Sequence, residues 1–241
     1  MNELWKSIGE NLIFVLEFLA VIVAIFLVAY GVEKIQRKKS GDTERILSTK
    51  RIAVIGMLSA VATVLMVLEM PVPFAPPFYK IDLSELPVLI GTFAYGPAAG
   101  VLIEFCKIIL KLLVKGTSTA FVGELANFAV GCSFILPAGI IYLFKKTKKM
   151  AIISSITGTM IMTVIGTAFN AIYLLPKFAQ LFGMPLEAIV GMGTAVNPAI
   201  DSVTTLVIFA VAPLNLLKGS LVSLITLLIY KKLSPILKAG R

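Results

Sequence analysis

An all-α integral membrane protein with about seven hydrophobic spans is the fold class this sequence predicts, and three observations predict it. Hydrophobic residues make up 58% of the 241 and charged residues only 15%; mean hydropathy is +0.97. A soluble domain of that length needs more polar surface than this composition supplies, so the surplus apolar surface faces lipid. Apolar runs long enough to cross the hydrocarbon recur along the chain, and basic residues cluster at their ends.

The first run, 12–30, follows a segment in which Lys6 stands against Glu3 and Glu10. A secretory leader needs a basic start and a small-residue cleavage site, and neither is present, so the run reads as a retained span. Further spans are expected at 52–69, 83–95, 98–114, 120–143, 150–174 and 213–231. Gly96 and Pro97 break the third from the fourth, making a tight helical hairpin. The stretch 176–212 is less regular and holds one further apolar piece, Val203 to Ala212. Residues 1–50 thus read as an extra span with a basic linker, and 51–241 as the main membrane domain.

Orientation follows from lysine and arginine. Most of the 22 basic residues fall in the stretch Lys34–Arg51, in the loop Lys145–Lys149 and in the tail Lys231–Arg241. The alternation of spans puts all three on one side, the cytoplasm, with the C-terminus there and the N-terminus outside. The charge of +9 therefore records topology and does not point to nucleic acid.

Polar residues inside spans are costly in lipid, so each needs a reason. Glu104, Lys107 and Lys111 share a helix face at i, i+3 and i+7, and local pairing with snorkelling lysines explains them. Asp82 and Glu85, with Ser84 between them, read as caps of the next helix. Glu124 and Asn127, Asn170, and Asn215 with Lys218 all fall near one end of their spans, Pro213 taking the first turn of the last. Several amides and a lysine at one depth favour a pocket for a polar ligand over helix-to-helix hydrogen bonding. The loop Met70–Lys80 holds four prolines and the aromatics Phe74, Phe78 and Tyr79, a composition suited to an ordered lid. Gly56 and Ala60, four apart, offer a close-approach surface to another helix. Cys106 and Cys132 read as buried thiols.

The ordered blocks Lys-Ile-Asp-Leu-Ser-Glu-Leu-Pro, Gly-Pro-Ala-Ala-Gly-Val-Leu-Ile-Glu, Gly-Glu-Leu-Ala-Asn-Phe, Phe-Asn-Ala-Ile-Tyr-Leu-Leu-Pro and Pro-Leu-Asn-Leu-Leu-Lys-Gly run between Arg51 and Lys232. Together they resemble the riboflavin-binding S components of energy-coupling factor (ECF) vitamin transporters. The resemblance implies a six-helix bundle, here with one additional N-terminal transmembrane helix, in the cell membrane of a prokaryote. It implies riboflavin as transported ligand, captured on the outer side, with no cofactor or metal. It also implies a transmembrane coupling subunit and two cytoplasmic ATPases as partners; the chain has no GxxxxGK[ST] phosphate loop of its own. By matching blocks, Asn170, Asn215 and Lys218 would contact ligand, joined by Glu124 and Asn127. Phe74, Phe78 and Tyr173 are aromatic candidates for its ring. Ala53, Gly56 and Ala60 would face the coupling subunit.

Other classes are open but weaker. The same scaffold could carry another vitamin or small heterocycle, or work as a self-sufficient secondary transporter. An intramembrane hydrolase using Glu104, Glu124 or Asp201 is disfavoured: there is no histidine, no HExxH and no GxSxG. The expectation is that the protein is not an enzyme.

Overall fold

The computed structural model describes residues 12–41 and 45–238. The leading segment Met1–Glu10, on which the leader argument turned, and Arg241 lie outside the described residues. The protein is an all-α bundle. Among the described residues, five helical stretches are long and apolar enough to cross a membrane: Leu16–Ser40, Thr49–Val67, Val122–Phe144, Lys148–Phe182 and Val203–Tyr230.

Helix α1 (Leu12–Ser40) is apolar almost all round, and Phe18, Ile22 and Ala29 form its buried stripe while Leu16, Leu27 and Val28 stay exposed. The stripe packs on helices α4 (Pro97–Lys115) and α5 (Val122–Phe144), with the Phe18 ring edge-on to Phe128 at 6.1 Å. At its far end the fully buried Glu33 accepts from Arg37 at 3.0 Å and from the Ala98 N–H at 3.4 Å, with Arg51 at 3.7 Å. A carboxylate there meets the positive end of α4 as well as two guanidiniums. The first span is therefore packed into the bundle through a buried ionic cluster.

Helix α2 (Thr49–Val67) begins at Ser48, whose hydroxyl accepts from the Arg51 N–H. It buries Ile55, Leu58 and Ala62 against α3 (Glu85–Tyr95) and α4 and leaves Ala53, Gly56 and Ala60 exposed. A short antiparallel pair, β1 (Met70–Pro71) and β2 (Lys80–Ile81), closes the base of the proline-rich loop, pairing Met70 with Ile81 and Pro71 with Lys80. The α3–α4 hairpin turns at Gly96, whose φ of 105° is left-handed and favours glycine. A side chain there would also run into the Glu33 carboxylate. At 11 residues, α3 rises only about 16 Å. It is too short to span alone, so the expected count of seven full spans is not met by length.

The last two long stretches differ from the sequence expectation. Helix α6 (Lys148–Phe169) continues through a wide π turn, Asn170–Leu174, into α7 (Leu175–Phe182). After α8 (Leu186–Thr194), a short α9 (Val203–Leu206) and a second π turn, Val207–Val211, lead without a break into α10 (Ala212–Lys238). Pro213 thus falls near the start of α10 but inside a continuous helical stretch, not at its N-terminus. Each π turn ends two positions before a proline, Pro176 or Pro213. Proline lacks an N–H and crowds the preceding turn, and a locally widened helix accommodates both. The piece 203–212 is the start of the last span, and 175–194 forms two short helices.

Candidate ligand-binding site

Where the loop meets the ends of α5, α6 and α10, the bundle opens a cavity of about 770 Å³, within the range of small-molecule sites. The antiparallel order of the helices brings the sequence-distant polar residues together. Asn170 lies at the start of the first π turn, Asn215 and Lys218 in the first turns of α10, and Glu124 and Asn127 in the first turns of α5; all five line this cavity.

The amides differ in how much capacity the chain leaves them. Asn170 Nδ2 donates to the Gly166 carbonyl at 2.9 Å, and its Oδ1 accepts from Tyr79 Oη at 3.0 Å. Tyr79 belongs to the loop, so this bond ties the cover to the wall; burial pushes the Tyr79 phenol far above its usual pKa and keeps the proton in place. Asn127 Nδ2 donates to the Gly123 carbonyl at 2.9 Å. Asn215 Nδ2 is buried, pressed against Gly166, and has no hydrogen-bond partner among the described residues. A buried donor left unmade is expensive, so the Asn215 amide gains from any acceptor brought within its reach.

The charges are paired across elements. Lys218 Nζ reaches Asp82 Oδ2 at 3.1 Å and Glu85 Oε1 at 3.3 Å. Lys107 is fully buried; it forms an ion pair with Glu104 at 2.6 Å and donates to Glu85 and to Ser84 Oγ, each at 3.1 Å. Lys111 turns inward to Glu124 at 2.6 Å, and the Thr117 and Thr119 hydroxyls donate to the other Glu124 oxygen. The local Glu104–Lys107 pair is present, but snorkelling is not: both lysines point into protein. Capping was also an incomplete account of Asp82, Ser84 and Glu85. Asp82 Oδ1 does accept from the Ser84 N–H at 2.8 Å, but Ser84 makes no side-chain cap, and the rest of the trio serves the two lysines.

At the rim, Glu69 holds Lys80 at 2.9 Å and Lys115 at 2.8 Å, linking the base of the loop to the end of α4. Burial would raise the Glu69 carboxyl, but the bonds from Lys115 and Lys80 outweigh it and hold it below its ordinary value.

The aromatic candidates separate. Phe78 lines the cavity, tilted on Tyr79 at 4.6 Å. Phe74 packs instead against the buried cluster that includes Val72, Ala75 and Leu175, anchoring the loop. Tyr173 lies off the cavity, stacked on Phe169 at 5.2 Å on the side facing α1. Sequence reasoning missed the apolar wall from α7 and α8, where Phe178, Phe182, Ile189 and Met192 line the cavity. Leu175, Phe178, Ala179 and Phe182 recur at i, i+3, i+4 and i+7, an amphipathic signal that could have found it. Among the described residues no cluster of acidic, cysteine or histidine side chains could hold a metal ion.

Comparison with known proteins gives a consistent set of relatives. Residues 50–230 match the family described as "ECF transporter, substrate-specific component". The chain is 33% identical over 189 residues to the riboflavin transporter RibU of Staphylococcus aureus (strain TCH60), covering 78% of this chain and 93% of that protein. It is 33% identical over 198 residues to the riboflavin transporter FmnP of Bacillus subtilis (strain 168), covering 81% and 97%. A solved S component of a bacterial ECF transporter superposes with a TM-score of 0.61 at 34% identity, over 78% of this chain and 98% of that one. The matched region begins after α1.

Proposed function

The chain belongs to the family of ECF transporter substrate-specific components, and from that membership we propose that it is the riboflavin-binding membrane subunit of an ECF-type importer. One observation carries the ligand assignment: Asn170, Asn215 and Lys218, drawn from two helices 45 residues apart, line one lidded cavity. Riboflavin presents a flat ring with an amide-like edge and a polyhydroxyl tail. The edge pairs with amides and an ammonium, while Phe78 and the α7–α8 wall receive the ring. Glu124 and Asn127 stand where the hydroxyl tail can reach. Phe74 and Tyr173 contribute by supporting the loop and the outer face of the wall.

The multi-pass protein sits in a prokaryotic cell membrane with the cavity outward, the α10 end in the cytoplasm and the start of α1 outside. The cluster of Lys145, Lys146, Lys148 and Lys149, exposed between α5 and α6, supports that orientation. Energy comes from a transmembrane coupling subunit and two cytoplasmic ATPases. The coupling subunit packs on the exposed small-residue face of α2, Ala53, Gly56 and Ala60, where a Cβ at Gly56 would meet none of the described residues within 4 Å.

The test is riboflavin titration of detergent-purified protein from a flavin-starved host, followed by quenching of flavin fluorescence. Saturable binding at one flavin per chain is expected. Well-folded protein that leaves the fluorescence unchanged, or that prefers another heterocycle, overturns the assignment.

A further inference from the structure

Resting on the riboflavin reading, we infer that Asp82 and Glu85 are positioning residues for recognition: they hold the Lys218 ammonium in place so that its remaining N–H groups meet an uncharged acceptor on the ligand. The two carboxylates stand at and just before the start of α3, 133 or more positions from Lys218 in the chain, so only the folded bundle joins them. Asp82 Oδ2 lies 3.1 Å and Glu85 Oε1 3.3 Å from Nζ. All three groups line the cavity, and the Lys218 side chain keeps only 13% of its surface exposed.

An ammonium has three donors on a flexible stem. One is donated to Asp82 Oδ2, and Glu85 pairs with the same ammonium at 3.3 Å, so the remaining donors are held in a fixed place beside the cavity. The same two carboxylates balance the charge, so Lys218 acts as an oriented donor rather than as a counter-ion waiting for an anion. Glu85 is itself held by Lys107, at 3.1 Å from the same Oε1, and Lys107 by Glu104 and Ser84. The clamp is therefore backed by a second buried pair behind the wall and is not free to swing. Asp82 is the more separable member, because its other oxygen is occupied only by the neighbouring Ser84 N–H.

The experiment is a double-mutant cycle on the full chain in detergent, read by riboflavin titration of wild type, D82N, K218M, D82N/K218M and D82E. If Asp82 acts through Lys218, K218M weakens binding about 30-fold and D82N about 10-fold, while the double variant stays within about 2-fold of K218M. D82E, which restores the carboxylate, stays within about 3-fold of wild type. A purely architectural Asp82 would instead give losses that multiply in the double variant. Should D82N fail to fold, the double variant removes the unbalanced ammonium and decides alone: affinity equal to K218M supports the inference, and a further loss overturns it. D82N binding as tightly as wild type also overturns it. A folded wild type that ignores riboflavin overturns the functional reading and this inference with it, an outcome distinct from the others.

Discussion

Replacing Asn215 by leucine should make the empty protein more stable while weakening its affinity. Asn215 Nδ2 is buried against Gly166 with no hydrogen-bond partner among the described residues. An unmade buried donor costs about 1–3 kcal/mol, and within membranes measured polar contacts run smaller, about 0.6 on average. A net gain of about 1 kcal/mol is therefore expected from a leucine of similar size, or about 2–4 °C in Tm for a chain of this length. Binding moves the other way. Loss of a donor that meets a ligand acceptor costs about 1–3 kcal/mol, or roughly 5- to 150-fold in Kd. The assay pairs thermal unfolding of the flavin-free protein with riboflavin titration of the same preparation. Asn170→Ala is the internal comparison: it forfeits the bonds to Tyr79 and Gly166 and should lose stability and affinity together. A leucine variant with lower Tm and unchanged affinity would refute the reasoning, because Asn215 would then be an ordinary packing amide.

Three further outcomes are expected. Glu33→Ala removes the carboxylate that Arg37, Arg51 and the Ala98 N–H share; it should cost about 3 kcal/mol, read as a lower Tm in detergent. Gly56→Leu should leave riboflavin affinity unchanged and abolish uptake in vesicles holding the assembled complex, since position 56 is exposed and clear of the cavity. The Glu69 carboxyl is held below its ordinary 4.5, so the contribution of the Lys80–Glu69–Lys115 link is fully present above that value. It is lost only as pH falls through the lowered one. Loop opening, followed by a fluorophore at Phe78→Cys in a chain without its own cysteines, should therefore begin below the usual carboxylate range, and Glu69→Gln should open at every pH.

Much of the bundle was legible because lipid imposes long apolar runs, and the Gly96–Pro97 break reads directly from backbone chemistry. The two π turns did not: a proline inside an apolar stretch signals a start or a stop in sequence, and only packing shows the helix widening to continue past Pro176 and Pro213. The amides and Lys218 could be singled out because each is costly in hydrocarbon. Their partners could not. Glu104, Lys107 and Lys111 looked self-sufficient at helical spacing, yet Lys107 also reaches Glu85, 22 positions back, and Lys111 reaches Glu124, 13 ahead. Local periodicity reports which residues share a face and says nothing of the helix that face will meet. Phe74 and Tyr173 illustrate the same limit, since an aromatic side chain packs equally well on either side of a wall.

The pairing of the lining charges bears on what the cavity can recognise. Lys80 and Lys115 share Glu69, Lys111 holds Glu124, and Lys218 lies between Asp82 and Glu85. Each cation that lines the cavity thus already has a carboxylate at bonding distance. In a low-dielectric site such a pair holds together and offers the ligand oriented donors and acceptors rather than net charge. Selectivity then rests on complementarity of hydrogen-bonding edges, and a ligand lacking an acceptor opposite Asn215 leaves a buried donor unpaired. That penalty discriminates more sharply than an extra apolar contact does, which is why an uncharged heterocycle with a carbonyl edge fits this cavity better than a simple anion.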